Sequence, residues 1–248
     1  MLKKIPFSDA AYKKYISIKN YRRFSGDFQQ FAQKQAQTEK RFSLTWEERF
    51  PILNERTKTS HFEPHYTYHP AWAARILASQ NPKLHVDISS TINFATLVSA
   101  FIPIEYYEYR PLEISLSGLT CKSADITNLP FPDESIESLS CMHVVEHIGL
   151  GRYGDELDYN GDLKAMFQLK RVLKKGGNLL FVVPVGKPRI CFNAHRIYSY
   201  SQIMDYFSGL KLKQFALVDD RRNFIIDAES TYASQQNYGC GCWWFTKE

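Results

Sequence analysis

From about residue 84 onward, short apolar runs alternate with stretches of helical spacing. "LHVDISS", "PIEYYEYRP" and "LTCKSADI" read as three successive strands, with "TINFATLVSAF" as a helix between the first two. "SIESLSCMHV" reads as a fourth strand. After an Asp- and Gly-containing loop comes the amphipathic stretch "GDLKAMFQLKRVLKK", a helix that Gly176-Gly177 is expected to end as a C-cap. The nearly unbroken apolar run "NLLFVVPVG" implies a fifth strand buried on both faces. "SYSQIMDYF" is a helix with serine caps, and "LKLKQFALVDD" and "YGCGCWWFTKE" read as the last two strands. Such alternation predicts a doubly wound α/β domain.

Ahead of this domain the pattern is looser. Residues 9 to 40 are rich in Gln, Lys and aromatic residues at loose helical spacing, which predicts one or two helices. Pro51, Pro64 and Pro70 then punctuate an irregular stretch before the helix "AWAARILAS". The expected division is an N-terminal helical lid or cap over 1–70 and the α/β domain over 71–248. His61, His65 and His69 recur every four residues, which on a continuous helix would suggest a metal site. Pro64 argues against that helix, so these histidines are expected to make loop contacts or to face a substrate.

Composition narrows the class. With 248 residues, 44% of them hydrophobic, the chain can bury a full core, and disorder is not expected. The longest apolar run falls far short of the roughly 20 residues a membrane-spanning helix needs. The first residues lack the apolar segment of a secretory signal, and five cysteines are an odd number without a disulfide-framework spacing. The expectation is a cytoplasmic protein without a transmembrane segment. Cys240-Gly-Cys242 reads more readily as two small side chains on one strand face than as a redox or metal pair. The net charge of +5 is concentrated in Lys3, Lys4, Lys13, Lys14, Lys19, Arg22 and Arg23. No long like-charge block accompanies them, so a solvated helix face is the preferred reading and nucleic acid is not an expected partner.

The order of these elements and the words on them resemble the class I S-adenosylmethionine (SAM) dependent methyltransferases. The matching stretches are "VDISS", "ADITNLPFPDESIESLSCMHVVEHI" and "FQLKRVLKKGGNLLFVVPVG", covering about 84 to 186. The resemblance implies a seven-stranded Rossmann-like sheet whose ligands sit beyond the carboxyl ends of the strands. Asp87, closing the first strand, would face the methionine part of the cofactor. Glu108 matches the acidic residue that accepts the two ribose hydroxyls, Asp125 the contact to the adenine amino group, and Ile126 could pack on the adenine. Where the family usually shows D-x-G-x-G, this chain reads Asp87-Ile88-Ser89-Ser90-Thr91-Ile92-Asn93, so the hydroxyls of Ser89 and Ser90 are the groups left to bind the cofactor carboxylate. The words "GLGRYGD" and "FNAHR" also resemble an uncharacterised methyltransferase-like family associated with surface-glycan biosynthesis.

"CMHVVEHIGLGRYGD" contains His143, Glu146 and His147 in the spacing H-x-x-E-H. An inverted zinc-protease motif would need a helix to carry it and a distant carboxylate, but this one comes straight off a strand and ends quickly in glycines. It is closer to class I O-methyltransferases of the quinone-biosynthesis and small-RNA 2′-O types, which it resembles in their E-x-x-E-H after the fourth strand. There a further histidine after the fifth strand completes a divalent metal site, and His195 is the matching residue. With His143 in place of Glu, the set His143, Glu146, His147 and His195 would suit zinc, iron or manganese better than magnesium. The alternative is that His143 and His147 are hydrogen-bonded loop residues and Glu146 caps a turn.

With metal, an acceptor hydroxyl would be held and its pKa lowered; without it, His147 or His143 would act as general base. Arg152, Tyr153, Asp155 and Arg196 are expected to recognise an oxygen-rich or phosphorylated acceptor. The expected protein is a SAM-dependent O-methyltransferase of a small hydroxyl-bearing acceptor such as a sugar or glycan precursor. Two alternatives stay open: a catalytically inactive methyltransferase fold used for binding or as a scaffold, motivated by the glycine-free loop, and an RNA 2′-O-methyltransferase, motivated by the basic N-terminus and the resemblance to the metal-dependent small-RNA type.

Overall fold

The computed structural model describes residues 9–248, with side chains from Lys14 onward. The chain divides into two compact units, Met1–Phe62 and Glu63–Glu248. In the first, a single helix, α1 (Asp9–Ala36), accounts for the loosely periodic stretch. Trp46 packs edge-on against Phe28 at 4.9 Å, and the Arg49 guanidinium lies over its ring at 4.3 Å. Lys14, Lys19, Arg22 and Arg23 are exposed on α1; Lys3 and Lys4 and the side chain of Lys13 lie outside the described residues.

The second unit is a sheet sandwiched by helices. Its strands are β1 (His85–Ile88), β2 (Ile104–Glu108), β3 (Leu119–Ser123), β4 (Ile136–Met142), β5 (Leu173–Val185), β8 (Leu210–Val218), β9 (Phe224–Ile226) and β10 (Gly239–Lys247), in the order β3-β2-β1-β4-β5-β10-β8-β9. β6 (Arg189–Cys191) and β7 (His195–Ile197) form a separate antiparallel hairpin. β1 to β5 pair in parallel, and β10 runs antiparallel between β5 and β8. The sheet has eight strands rather than seven, because Phe224–Ile226 returns from a turn and pairs with the outer edge of β8. Chain order reverses between β1 and β4, which puts the topological switch point at their carboxyl ends.

Helices cover both faces. α2 (Pro64–Gln80) and α3 (Ile92–Val98) bury Trp72, Ile76, Leu77 and Phe94 on one face. α4 (Gly161–Val172), α5 (Tyr200–Tyr206) and α6 (Ser230–Ala233) bury Met166, Leu169, Ile203 and Ala233 on the other. Among the described residues, no helix is long and apolar enough to cross a membrane.

Two local expectations are corrected. α2 begins at Pro64 and runs through His65 and His69, because proline at the first helical position sacrifices an N–H that has no partner there anyway. Glu63 caps it, accepting the Tyr66 N–H at 2.7 Å. α4 stops at Val172, before Gly176-Gly177; "LKKGG" joins β5 instead, where Ile136 pairs with Leu173 and Ser138 with Asn178, so that residues 174–177 bulge. Pairing with β4 outweighs the helical spacing of those lysines.

Candidate functional site

The site is built where β4 ends. His143 leaves the strand in the left-handed region, φ 57, with its N–H still bonded to the Val182 carbonyl at 2.8 Å. A single 3-10 turn, Val145–His147, then brings Glu146 back beneath it. The His143 Nδ1 meets Glu146 Oε1 at 2.7 Å, with both side chains buried. Burial works against the His143 cation, but the Cys240 sulfur and the Glu146 carboxylate outweigh it and push its pKa up to about 10. Of the remaining polar atoms of this pair, Glu146 Oε2 is buried without a hydrogen-bond partner, and His143 Nε2 is buried facing the Cys240 sulfur without a well-formed hydrogen bond.

His147 is oriented differently. Its Nδ1 donates to the Ala194 carbonyl at 2.6 Å, which leaves the Nε2 lone pair free, 3.8 Å from Glu146 Oε1. His195, on β7, stands half-buried with its ring 5.0 Å from that of Tyr238, and burial lowers its pKa. His143, Glu146, His147 and His195 thus line one cavity of about 470 Å³, together with Tyr66, Arg152 and Tyr238. The four residues expected from the motif share a pocket, although their donor atoms do not converge on a single point.

α2 supplies residues that the sequence placed in a loop. The His65 ring is stacked between His143 at 5.7 Å and Tyr238 at 5.2 Å, and Tyr66 leans over His143 at 5.2 Å. His69 is wholly buried, donating from Nδ1 to the His65 carbonyl at 2.7 Å, with its Nε2 unpartnered. Among the described residues, the one trio of His, Cys, Asp or Glu whose donor atoms all lie within 4.8 Å of one another is His65, His143 and Cys240. The spacing of His65 and His69 was the available signal for this face; Cys240 was legible only as half of a C-x-C pair, which read more readily as two small side chains on one strand face.

The cofactor candidates separate into those facing out and those built into the scaffold. Asp87 is fully buried and accepts the Ser90 N–H at 3.0 Å and the Ser140 hydroxyl. Ser90 uses its hydroxyl to accept the Met142 N–H at 3.1 Å, and Ile126 belongs to the apolar core. Ser89 is half-buried, with φ 55 and its hydroxyl bonded to the Tyr107 carbonyl at 3.1 Å. Glu108, at the end of β2, is partly exposed and accepts the Tyr109 N–H at 2.9 Å. Asp125 is exposed; one of its oxygens closes a turn with the Thr127 N–H and hydroxyl at 2.8 and 2.7 Å, and the other remains open.

Of the expected acceptor residues, Arg152 and Tyr153 are exposed at the pocket mouth, the Tyr153 ring lying edge-on to His147 at 5.9 Å. Asp155 instead folds the loop, accepting the N–H groups of Gly149, Tyr153 and Gly151 at 2.8, 3.1 and 3.3 Å. Arg196 is a correction. It is buried, bonded to the carbonyls of Ile148 and Tyr159 at 2.7 and 3.1 Å and paired with Asp162 at 3.5 Å, so its guanidinium is occupied in holding loop to hairpin.

Residues 128–238 match a family described as Caenorhabditis protein of unknown function, DUF268. No curated relative matches the chain. The N-methyltransferase NodS from Bradyrhizobium japonicum, solved with S-adenosyl-L-homocysteine, superposes with a TM-score of 0.52 at 12% identity, covering 75% of this chain and 88% of NodS. The fold is the Rossmann-like methyltransferase fold. A TehB-like SAM-dependent methyltransferase from Corynebacterium glutamicum also aligns, with TM-score 0.47 and 12% identity over 71% of this chain and 87% of its own. In such a sheet the carboxyl ends of β1, β2 and β4 are the receiving edge, and Ser89, Glu108 and the His143–His147 turn all stand on it.

Proposed function

We propose that this chain transfers the sulfonium methyl of SAM to a hydroxyl of a small, oxygen-rich acceptor, with His147 as general base. The observation that carries this reading is the His147 ring: one nitrogen is pinned to the Ala194 carbonyl, the other opens onto a polar cavity at the receiving edge of a methyltransferase sheet. The acceptor hydroxyl gives its proton to His147 Nε2 as its oxygen takes the methyl group, and S-adenosylhomocysteine leaves. The S-adenosylhomocysteine held by NodS supports the choice of cofactor. Glu108 is placed for the ribose hydroxyls and the free Asp125 oxygen for the adenine edge. Arg152 and Tyr153 at the mouth suit a sugar or glycan precursor, since guanidinium and ring together grip hydroxyl-rich surfaces.

Calorimetric titration with SAM and S-adenosylhomocysteine tests the cofactor half, and turnover of His147→Gln on a panel of sugar acceptors tests the rest. The expected result is one-site cofactor binding retained in the variant, with turnover reduced roughly 10²- to 10⁴-fold. Absence of cofactor binding in the wild-type chain would favour a second reading, a methyltransferase fold kept for binding. That reading draws on the glycine-free loop: Ser89 stands where the family has glycine, and the side chains of Ser89 and Ser90 are committed to internal bonds.

A further inference from the structure

We propose that His65, His143 and Cys240 bind one divalent transition ion, zinc by preference, at the junction of α2, the end of β4 and β10. Three donors from three distant parts of the chain converge within 4.8 Å, and all three residues are buried. One thiolate with two imidazoles is a zinc donor set, and the tetrahedral geometry needs donors roughly 3.3–3.7 Å apart, which rotamer adjustment of roughly an ångström reaches from separations of at most 4.8 Å.

A second observation points the same way. The His143 Nε2 is buried beside the Cys240 sulfur with no nitrogen or oxygen partner, while its Nδ1 is held by the Glu146 carboxylate at 2.7 Å. A carboxylate on the far nitrogen of an imidazole is the usual support of a metal-bound histidine, since it fixes the ring and makes the near nitrogen a better donor. An imidazole nitrogen left so poorly paired in a protein interior is costly, and an ion supplies the missing partner. His69, outside the trio, adds a further buried and unpartnered Nε2 nearby, its ring 5.0 Å from that of His143. As the ion binds, the Cys240 sulfur and the His143 Nε2 each release a proton to solvent, while the His143 Nδ1 keeps its proton toward Glu146.

This set shares only His143 with the ligands expected from H-x-x-E-H. His147 and His195 stay outside it, which leaves the His147 Nε2 available as a base. The ion would tie α2 to the strand ends and hold the pocket wall formed by Tyr66 and His143.

The proposal stands apart from methyl transfer: a chain that binds zinc but no SAM upholds it. The test uses the full chain, stripped with a chelator and titrated with zinc or cobalt. Expected are one equivalent per chain, a thiolate-to-cobalt charge-transfer band that disappears in Cys240→Ser, and affinity lowered roughly tenfold or more in His65→Gln. Saturating zinc should raise the melting temperature by roughly 5–10 °C. Should the variants fail to fold, the wild-type cobalt spectrum decides alone. A folded wild-type chain that takes up no cobalt, or takes it up without a thiolate band, overturns the proposal.

Discussion

Ser89 holds a left-handed backbone, φ 55, at the turn where a glycine would carry no strain. Its hydroxyl bond to the Tyr107 carbonyl compensates in part. Ser89→Gly is therefore expected to change stability by less than about 1 kcal/mol, whereas Ser89→Val, branched and without the bond, costs about 2 kcal/mol or more in thermal denaturation. Beneath that turn, His85 bridges Ser138 and Ser140 at 2.8 Å each, and burial lowers its pKa to about 3. Its folded value lies below the ordinary 6.5, so the unfolded chain binds the extra proton between the two. Stability from this ring is complete above pH 6.5 and falls as pH drops toward 3. Asp87 has the opposite sign: burial raises its carboxyl to about 6, so its share is full below pH 4 and is lost as pH rises through 6. His85→Gln should remove close to one proton of linkage from the pH dependence of the melting temperature below pH 6.5. At this scale the sequence disclosed the H-x-x-E-H spacing, because it is local. It did not disclose that Arg196 ends on backbone carbonyls, since a guanidinium carries no mark of its destination.

The loop after the 3-10 turn is shaped by its glycines. Gly149 has φ 78, and a Cβ there would run into the Asp158 carbonyl oxygen; Gly154 has φ 82 and open space around it. Gly149→Ala is expected to cost clearly more than about 2 kcal/mol and to lower turnover by misplacing His147, while Gly154→Ala costs about 1 kcal/mol with turnover kept. Chemical denaturation and a steady-state assay on both variants read the difference. The strands β1 to β5 were legible because their apolar runs are short and punctuated. The start of α2 was not, because Pro64 was weighed as a breaker when its position, directly after the capping Glu63, makes it an initiator. The end of α4 was misplaced because Leu173, Lys174 and Lys175 fit helical spacing, and only the pairing with β4 decides otherwise.

Both apolar clusters of the second unit are drawn from residues between Trp72 and Phe245. A chain starting at Ser60 is therefore expected to unfold in one cooperative calorimetric transition, within about 5 °C of the full-length value. The doubly wound class could be read from the alternation of strands and helices, whereas the edge strand β9, three residues long, is too brief for any periodicity. The position of β10 between β5 and β8 has a consequence in time. During synthesis β8 and β9 are made before the strand that joins them to the rest of the sheet. The nascent chain thus carries an open inner edge on β5 until residues 239–247 arrive, a stretch in which it is exposed to mispairing and to capture by chaperones.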